Sequence, residues 1–250
     1  MYRNEDLPGV EPILRSTSSN MILILDVDET LVHTVTDDIK SWNNLNIYND
    51  PQKMDIRDRV YTLDILTDKD KSMSTFYWGI KRPYLKQFLN FCFSYFKLVI
   101  IFSAGTYEYV HIICPELFNG SYEPHYILTR NNCVPNGDKF TKPFWKLLQD
   151  IPEIKDYIDF DLDEHGKILG YKNIVIIDDR PVSFYQDPRN GILIPAYEPN
   201  PTVEGIKEED NALLKIMQFF DNLDTTNNID IRKINKELIF NSISPRHVEK

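Results

Sequence analysis

The chain is short of the features that would staple it, thread it through a bilayer or bind it to polyanions. Its three cysteines, Cys92, Cys114 and Cys133, are an odd, widely spaced set with no CxxC pair. That excludes a disulfide framework and reads as thiols kept in a reducing compartment. The five histidines show no HExxH or paired spacing, so a zinc site is not expected. Positive charge is in deficit: 28 Lys and Arg stand against 38 Asp and Glu, a formal net charge of −10. Such a surface is not built to track nucleic-acid phosphates, although a few cations inside a site would outweigh a diffuse global charge. The most apolar segment, Phe88 to Phe102, is broken by Asn90, Ser94 and Lys97 and is too short to span a bilayer. No basic-then-apolar leader opens the chain, so an intracellular protein with no membrane association is expected.

What is present is a core and a parallel-sheet pattern. Hydrophobic residues make up 42% of 250 residues, enough for one α/β domain with an insertion. Met21-Ile22-Leu23-Ile24-Leu25 is a short continuous apolar run, the pattern of a strand buried on both faces. Leu98–Phe102 and Ile174–Ile177 repeat it, and Tyr126–Thr129 and Gly191–Ile194 read as shorter strands. Pro83 and Pro143 suit first turns of helices, the former with Leu85, Phe88, Leu89, Cys92 and Phe96 on one face, the latter with Phe144, Leu147 and Leu148. Glu208-Glu209-Asp210 suits the start of another, with Leu213, Ile216, Met217 and Phe220 on its buried face.

Strands alternating with helices imply a mostly parallel, Rossmann-like sheet covered on both faces. The expected organisation is an arm over residues 1–20, a main domain over 21–224 and a tail over 225–250. Within the main domain, residues 35–74 are polar and read as an insertion rather than core. Tyr61, Leu63 and Ile65, and again Phe76, Trp78 and Ile80, alternate with other residues, as two strands of a small antiparallel flap would.

Each of the three buried strands ends in a polar signal: Asp26 and Asp28, Ser103, and Asp178 and Asp179. Side by side, the strands would bring all three to one sheet edge, where parallel α/β proteins place their sites. Four carboxylates in one crevice call for a cation, and oxygen-only ligation suits Mg²⁺. The run Asp159-x-Asp161-x-Asp163 is no calcium loop, since its sixth and twelfth positions hold Glu164 and Gly170 rather than Gly and Glu. His33 reads as structural.

Asp26-Val27-Asp28-Glu29-Thr30-Leu31-Val32-His33 resembles the first motif of the haloacid dehalogenase superfamily, in the form used by its RNA polymerase II C-terminal-domain phosphatases. These include the small, NLI-interacting-factor-like members. Trp78 to Pro83, Phe102-Ser103-Ala104-Gly105, Leu128-Thr129-Arg130 with Cys133 and then Lys142, and Ile176 to Pro181 resemble the family's later motifs, in order, over roughly residues 21–223. Ser103 stands where threonine is usual, which keeps the hydroxyl. Nothing between Val35 and Ser74 matches the tandem domain of some large members.

The resemblance implies an Mg²⁺-dependent protein serine/threonine phosphatase acting on a phosphorylated protein. The implied substrate is a phosphoserine in an extended, proline-containing peptide such as the polymerase C-terminal repeats. A monomer that does not bind nucleic acid is expected. Asp26 would attack phosphorus and form an aspartyl phosphate. Asp28 would act as general acid and then base. Like charge opposes the attack, at ~4 kcal/mol for one unit pair at 4 Å and an effective dielectric near 20. Mg²⁺, Lys142 and the Ser103 hydroxyl would offset it. Metal binding is implied for Asp26, the backbone carbonyl of Asp28 and Asp179, with Asp178 close by to support Lys142 or water. Thr30 would hold Asp28 and, with Arg130 at the crevice rim, meet the substrate. Tyr61, Phe76 or Trp78 would form an apolar wall for a proline. Two rivals remain: small phosphate esters or nucleic-acid 3′-phosphates on the same fold, and a non-catalytic phosphopeptide-binding scaffold.

Overall fold

The structure, a computed structural model, describes residues 17–36, 38–66, 74–118, 120, 122–223 and 229–240. Most of the expected arm and the last ten residues of the expected tail lie outside these. In chain order the first elements are β1 (Ile22–Leu25), β2 (Val32–Thr36), α1 (Ile39–Leu45), α2 (Met54–Arg57), β3 (Val60–Leu66) and β4 (Ser74–Lys81). Then come α3 (Leu85–Tyr95), β5 (Leu98–Phe102), α4 (Tyr107–Phe118), β6 (Tyr126–Leu128), β7 (Val134–Asn136) and β8 (Lys139–Thr141). The last are α5 (Phe144–Asp150), β9 (Phe160–Leu162), β10 (Ile168–Tyr171), β11 (Ile174–Asp178), β12 (Gly191–Leu193), α6 (Val203–Lys207) and α7 (Ala212–Asp221).

The central sheet has five strands in the order β12-β11-β1-β5-β6, every pair parallel. β1 is the middle strand, with Leu25 in register with Ile177 on one side and Ile101 on the other. Because side chains alternate along a strand, the apolar runs serve two cores. Leu23, Leu25, Val99, Ile101, Val175 and Ile177 pack with residues of α3, α4 and α7. Ile22, Ile24, Ile100, Ile174 and Ile176 face α5. Helices therefore cover both faces, as the continuous apolar runs predict.

The insertion differs from its expected character. It holds a three-stranded antiparallel sheet, β2-β4-β3, whose first strand begins inside the DVDETLVH segment. It is not merely polar: Leu45, Ile47, Ile56, Val60, Trp78 and Ile80 form a third core with Tyr197 and Ile206. These apolar residues are scattered among Asp, Asn and Lys over α1, α2 and the strands, so no single window reveals them. Trp78 is fully buried there, and Tyr61 is only 3% exposed. Neither forms the expected wall for a proline.

Three further elements were not legible. α4 carries Val110, Ile113, Cys114, Leu117 and Phe118 on its buried side. That is a 3.6-residue period, but β-branched residues and an internal Pro115 lower the helix propensity. The hairpins β7–β8 and β9–β10 are made of strands of three or four residues. The acidic run Glu208–Asp210 precedes α7 rather than opening it. Asp210 Oδ1 accepts from the backbone N–H of Ala212 at 3.0 Å. Beyond α7, Ile231 and Ile239 return to the main core.

Candidate active site

The parallel register carries the polar strand ends to one edge. The Asp26 N–H donates to Ile177 O at 3.1 Å, prolonging the β1–β11 pairing by one residue. The Ser103 N–H donates to Leu128 O at 3.0 Å in the same way. Lys142 arrives from the β7–β8 hairpin, and its N–H donates to Ser183 O at 2.7 Å, just beyond β11. Pro143 follows and ends the extended stretch before α5.

After β1 the chain makes a tight turn. Leu31 N–H and Val32 N–H both reach Val27 O, and Glu29 N–H reaches Val32 O at 2.7 Å. Glu29 has φ 59°, a left-handed conformation unusual for a residue with a side chain and costing about 1–3 kcal/mol. Outside contacts hold it. Tyr197 N–H donates to Glu29 O at 2.8 Å, and Arg82 Nη1 donates to Thr30 O at 3.1 Å and Glu29 O at 3.4 Å. Arg82 also forms a bidentate pair with Asp210, 3.0 Å from Nε and 2.8 Å from Nη2, and donates to Pro195 O. Its role was missed because a KRP tripeptide reads first as a helix start. His33 Nδ1 lies 2.7 Å from Glu29 Oε2 across one side of the turn.

The centre itself is buried. Lys142 Nζ donates to Asp26 Oδ1 at 2.5 Å and to Asp178 Oδ2 at 2.7 Å. Thr30 Oγ1 donates to Asp26 Oδ2 at 3.4 Å, so it holds Asp26 rather than the expected Asp28. Asp178 Oδ1 accepts from Arg180 N–H at 2.9 Å. Ser103 is fully buried, and its Oγ accepts from Gly105 N–H at 2.9 Å, leaving its own proton to donate. Asp28 accepts a hydrogen bond from Tyr109 of α4.

Burial pushes Asp26 well above the usual carboxylate range; the Asp178 charge adds to this and Lys142 opposes it. Burial pulls Lys142 down, but Asp178 and Asp26 more than reverse that and hold the ammonium above its usual value. Asp28 is raised by burial and partly restored by the Tyr109 bond. Asp179 is pushed up to about 6, by burial first and Asp178 second.

Those shifts describe an anionic site short of positive charge. Carboxylate oxygens of Asp26, Asp178 and Asp179 all lie within 4.8 Å of one another, with one ammonium among them. Asp179 Oδ1 is buried without any hydrogen-bond partner, and a buried, unsatisfied carboxylate oxygen calls for a ligand. A hard divalent cation with oxygen ligands fits the donor set.

Arg130 sits beside this edge. Its N–H donates to Gly105 O at 2.9 Å and its Nε to Ala104 O at 2.7 Å. The exposed guanidinium lies over the Phe140 ring at 5.5 Å. It is thus tied to the Ser103–Gly105 loop through its backbone N–H and Nε.

The sheet order, with the polar strand ends gathered at one edge, is that of a parallel α/β protein with its site beyond the carboxyl ends of the strands. The structure is similar to that of Fcp1, an essential RNA polymerase II CTD phosphatase, with a TM-score of 0.60 and 15% identity, covering 85% of this chain and 68% of that one. The NLI interacting factor-like phosphatase profile matches residues 21–232, and the chain belongs to that family. Phosphatase PSR1 of Saccharomyces cerevisiae is 24% identical over 231 residues, covering 91% of this chain and 43% of that protein. The CTD nuclear envelope phosphatase 1 homolog of Drosophila melanogaster is 25% identical over 212 residues, covering 85% and 70%. The chain thus spans less than half the length of the yeast relative.

Proposed function

We propose that the chain is an Mg²⁺-dependent protein serine/threonine phosphatase that works through an aspartyl phosphate on Asp26. The observation that carries this reading is the fixing of Asp26 by Lys142 at 2.5 Å, with Asp28 two residues further on, inside the tight turn. An oxygen of Asp26 attacks phosphorus while the serine oxygen departs, taking a proton from Asp28. A water then attacks the aspartyl phosphate, giving its proton back to Asp28 and releasing inorganic phosphate. Lys142 orients the nucleophile and lowers the repulsion between it and the incoming phosphate. The Ser103 hydroxyl supplies a donor to a phosphate oxygen.

Asp26, the backbone carbonyl of Asp28 and Asp179 would hold Mg²⁺, with Asp178 engaged by Lys142 and Arg180 N–H. Bound there, the cation would neutralise phosphate charge and so assist the attack. Arg130 would contact the peptide at the rim, and the substrate we favour is a phosphoserine followed by proline, as in polymerase C-terminal repeats. The family membership and the Fcp1-like fold support this class. An intracellular site of action agrees with the names of the nuclear envelope relatives; among the described residues no helix is long and apolar enough to cross a membrane. The test is phosphate release from a phosphopeptide panel with and without Mg²⁺, beside Asp26→Asn. Metal-dependent release from phosphoserine peptides, lost in Asp26→Asn, is expected. Release confined to small esters or 3′-phosphorylated oligonucleotides would transfer the activity to those substrates.

A further inference from the structure

Three side chains unused in the reaction above form a line of hydroxyls that ends on Asp28. Tyr109 Oη donates to Asp28 Oδ1. Thr34 Oγ1 of β2 lies 2.7 Å from Tyr109 Oη and 2.7 Å from Tyr61 Oη of β3. Each hydroxyl has one proton to give. Tyr109 gives its proton to a carboxylate, so the bond it makes with Thr34 has Thr34 as donor. Thr34 is then the acceptor in its bond with Tyr61. The protons of all three groups therefore point one way, from Tyr61 through Thr34 and Tyr109 to Asp28.

An ordinary tyrosine phenol keeps its proton at neutral pH, so both phenols are donors. One further observation favours a built device. Gly79 of β4 occupies the row between Thr34 and Tyr61 in the antiparallel sheet. A Cβ there would lie 2.3 Å from Tyr61 Cζ and Oη and 2.7 Å from His33 O. The glycine gives Tyr61 the room to lie across its neighbouring strand and reach Thr34.

We infer that Tyr109, Thr34 and Tyr61 are positioning residues for the proton transfer at Asp28: they occupy Oδ1 with a donor and present Oδ2 as the oxygen that exchanges protons with substrate and water. The inference rests on the reading of Asp28 as general acid and base. As the bond from phosphorus to the serine oxygen breaks, that oxygen takes the Oδ2 proton. As water bonds phosphorus and the aspartyl bond breaks, Oδ2 takes a proton from the water. The relay protons stay in place throughout. Two of the three residues belong to the insertion sheet, which gives that sheet a part in the chemistry beyond shaping the crevice.

The test uses the full chain with Mg²⁺ and single-turnover loss of two substrates, a phosphoserine peptide and p-nitrophenyl phosphate. The activated aryl leaving group needs little protonation, so first-step loss from poor proton delivery falls on the peptide. Tyr109→Phe is expected to slow the peptide by about tenfold or more and the aryl phosphate by less than about threefold. Thr34→Val should show the same discrimination to a smaller extent, and Thr34→Ser, which keeps the hydroxyl, should return the peptide rate to near the parent value. Thr34→Val also serves if Tyr109→Phe does not fold. Equal losses on both substrates would overturn the inference, as would a raised peptide KM with kcat retained. Asp28→Asn in the same assay separates the two levels. Discrimination by Asp28→Asn without discrimination by Tyr109→Phe or Thr34→Val removes the relay alone. No discrimination by Asp28→Asn removes the acid–base reading and the relay with it.

Discussion

Lys142 Nζ bridges Asp26 and Asp178, 2.5 Å from one carboxylate and 2.7 Å from the other, with all three side chains almost wholly buried. Among the described residues it is the ammonium that stands between these two mutually repelling carboxylates. Lys142→Met keeps much of the volume and removes the charge, leaving buried carboxylates uncompensated, which costs about 3–5 kcal/mol. Turnover should be lost, and the melting temperature of metal-free protein should fall. Added Mg²⁺ should recover part of the lost stability by supplying charge to the same carboxylates. Calorimetric melting of both forms, with and without Mg²⁺, checks this.

Asp179 provides the clearest pH dependence. Its carboxyl titrates at about 6 in the folded protein, above the unfolded value near 3.9. Between these values the folded state binds more protons than the unfolded state, so stability of the metal-free protein falls as pH rises through that window. Metal binding runs the other way, because Mg²⁺ must displace the proton: its affinity should drop by up to about tenfold per unit below pH ~6 and level off above. Asp179→Asn should weaken Mg²⁺ binding and reduce this pH dependence. Isothermal titration with Mg²⁺ at pH 5, 6 and 7.5 reads both, and an unchanged affinity in the variant would place the cation elsewhere.

How far the sequence could be read follows from where its signals are local. The strand ends at Asp26, Ser103 and Asp178 were legible because a fully buried parallel strand must be a continuous apolar run, and each polar break marks its end. Lys142 was found only through resemblance, since a lysine before a proline looks like any solvated helix start. The insertion's core escaped because its members are spread singly over about 40 positions and meet only when folded. Tyr109 escaped with α4. The period of Val110, Ile113 and Leu117 was there to be found, but Tyr109 is four residues past the nearest motif, and its partner Thr34 is 75 positions away. Thr30 was assigned to the wrong aspartate because a turn's hydrogen bonds depend on the left-handed residue inside it, Glu29.

Arg82 tests how that turn is held. Its guanidinium serves Glu29 O, Thr30 O, Pro195 O and Asp210 together. Arg82→Met would leave Asp210 and three carbonyls without this donor and should destabilise by about 3 kcal/mol. Arg82→Lys cannot make the bidentate pair and should recover only part of it. Urea unfolding of the two variants gives the comparison; equal stability to the parent would show the turn to be self-supporting.

Arg130 tests substrate choice. Its Nε is committed to Ala104 O, which leaves the terminal nitrogens for a peptide carbonyl or a neighbouring phosphate. Arg130→Ala should reduce kcat/KM on Ser-Pro phosphopeptides by about tenfold, a loss of ~1.4 kcal/mol. A small aryl phosphate should lose less than about twofold. Equal losses would mean that Arg130 acts by supporting the Ser103–Gly105 loop.

The central claim is that Asp26 carries the phosphoryl group. The most direct measurement is mass spectrometry of the acid-quenched, proteolysed enzyme during turnover of an aryl phosphate with Mg²⁺. The account predicts one phosphoryl group on the peptide containing Asp26, absent in Asp26→Asn and labile to hydroxylamine as an acyl phosphate must be. Phosphate release by the parent enzyme at full rate with no such label, or with the label on another residue, would contradict it.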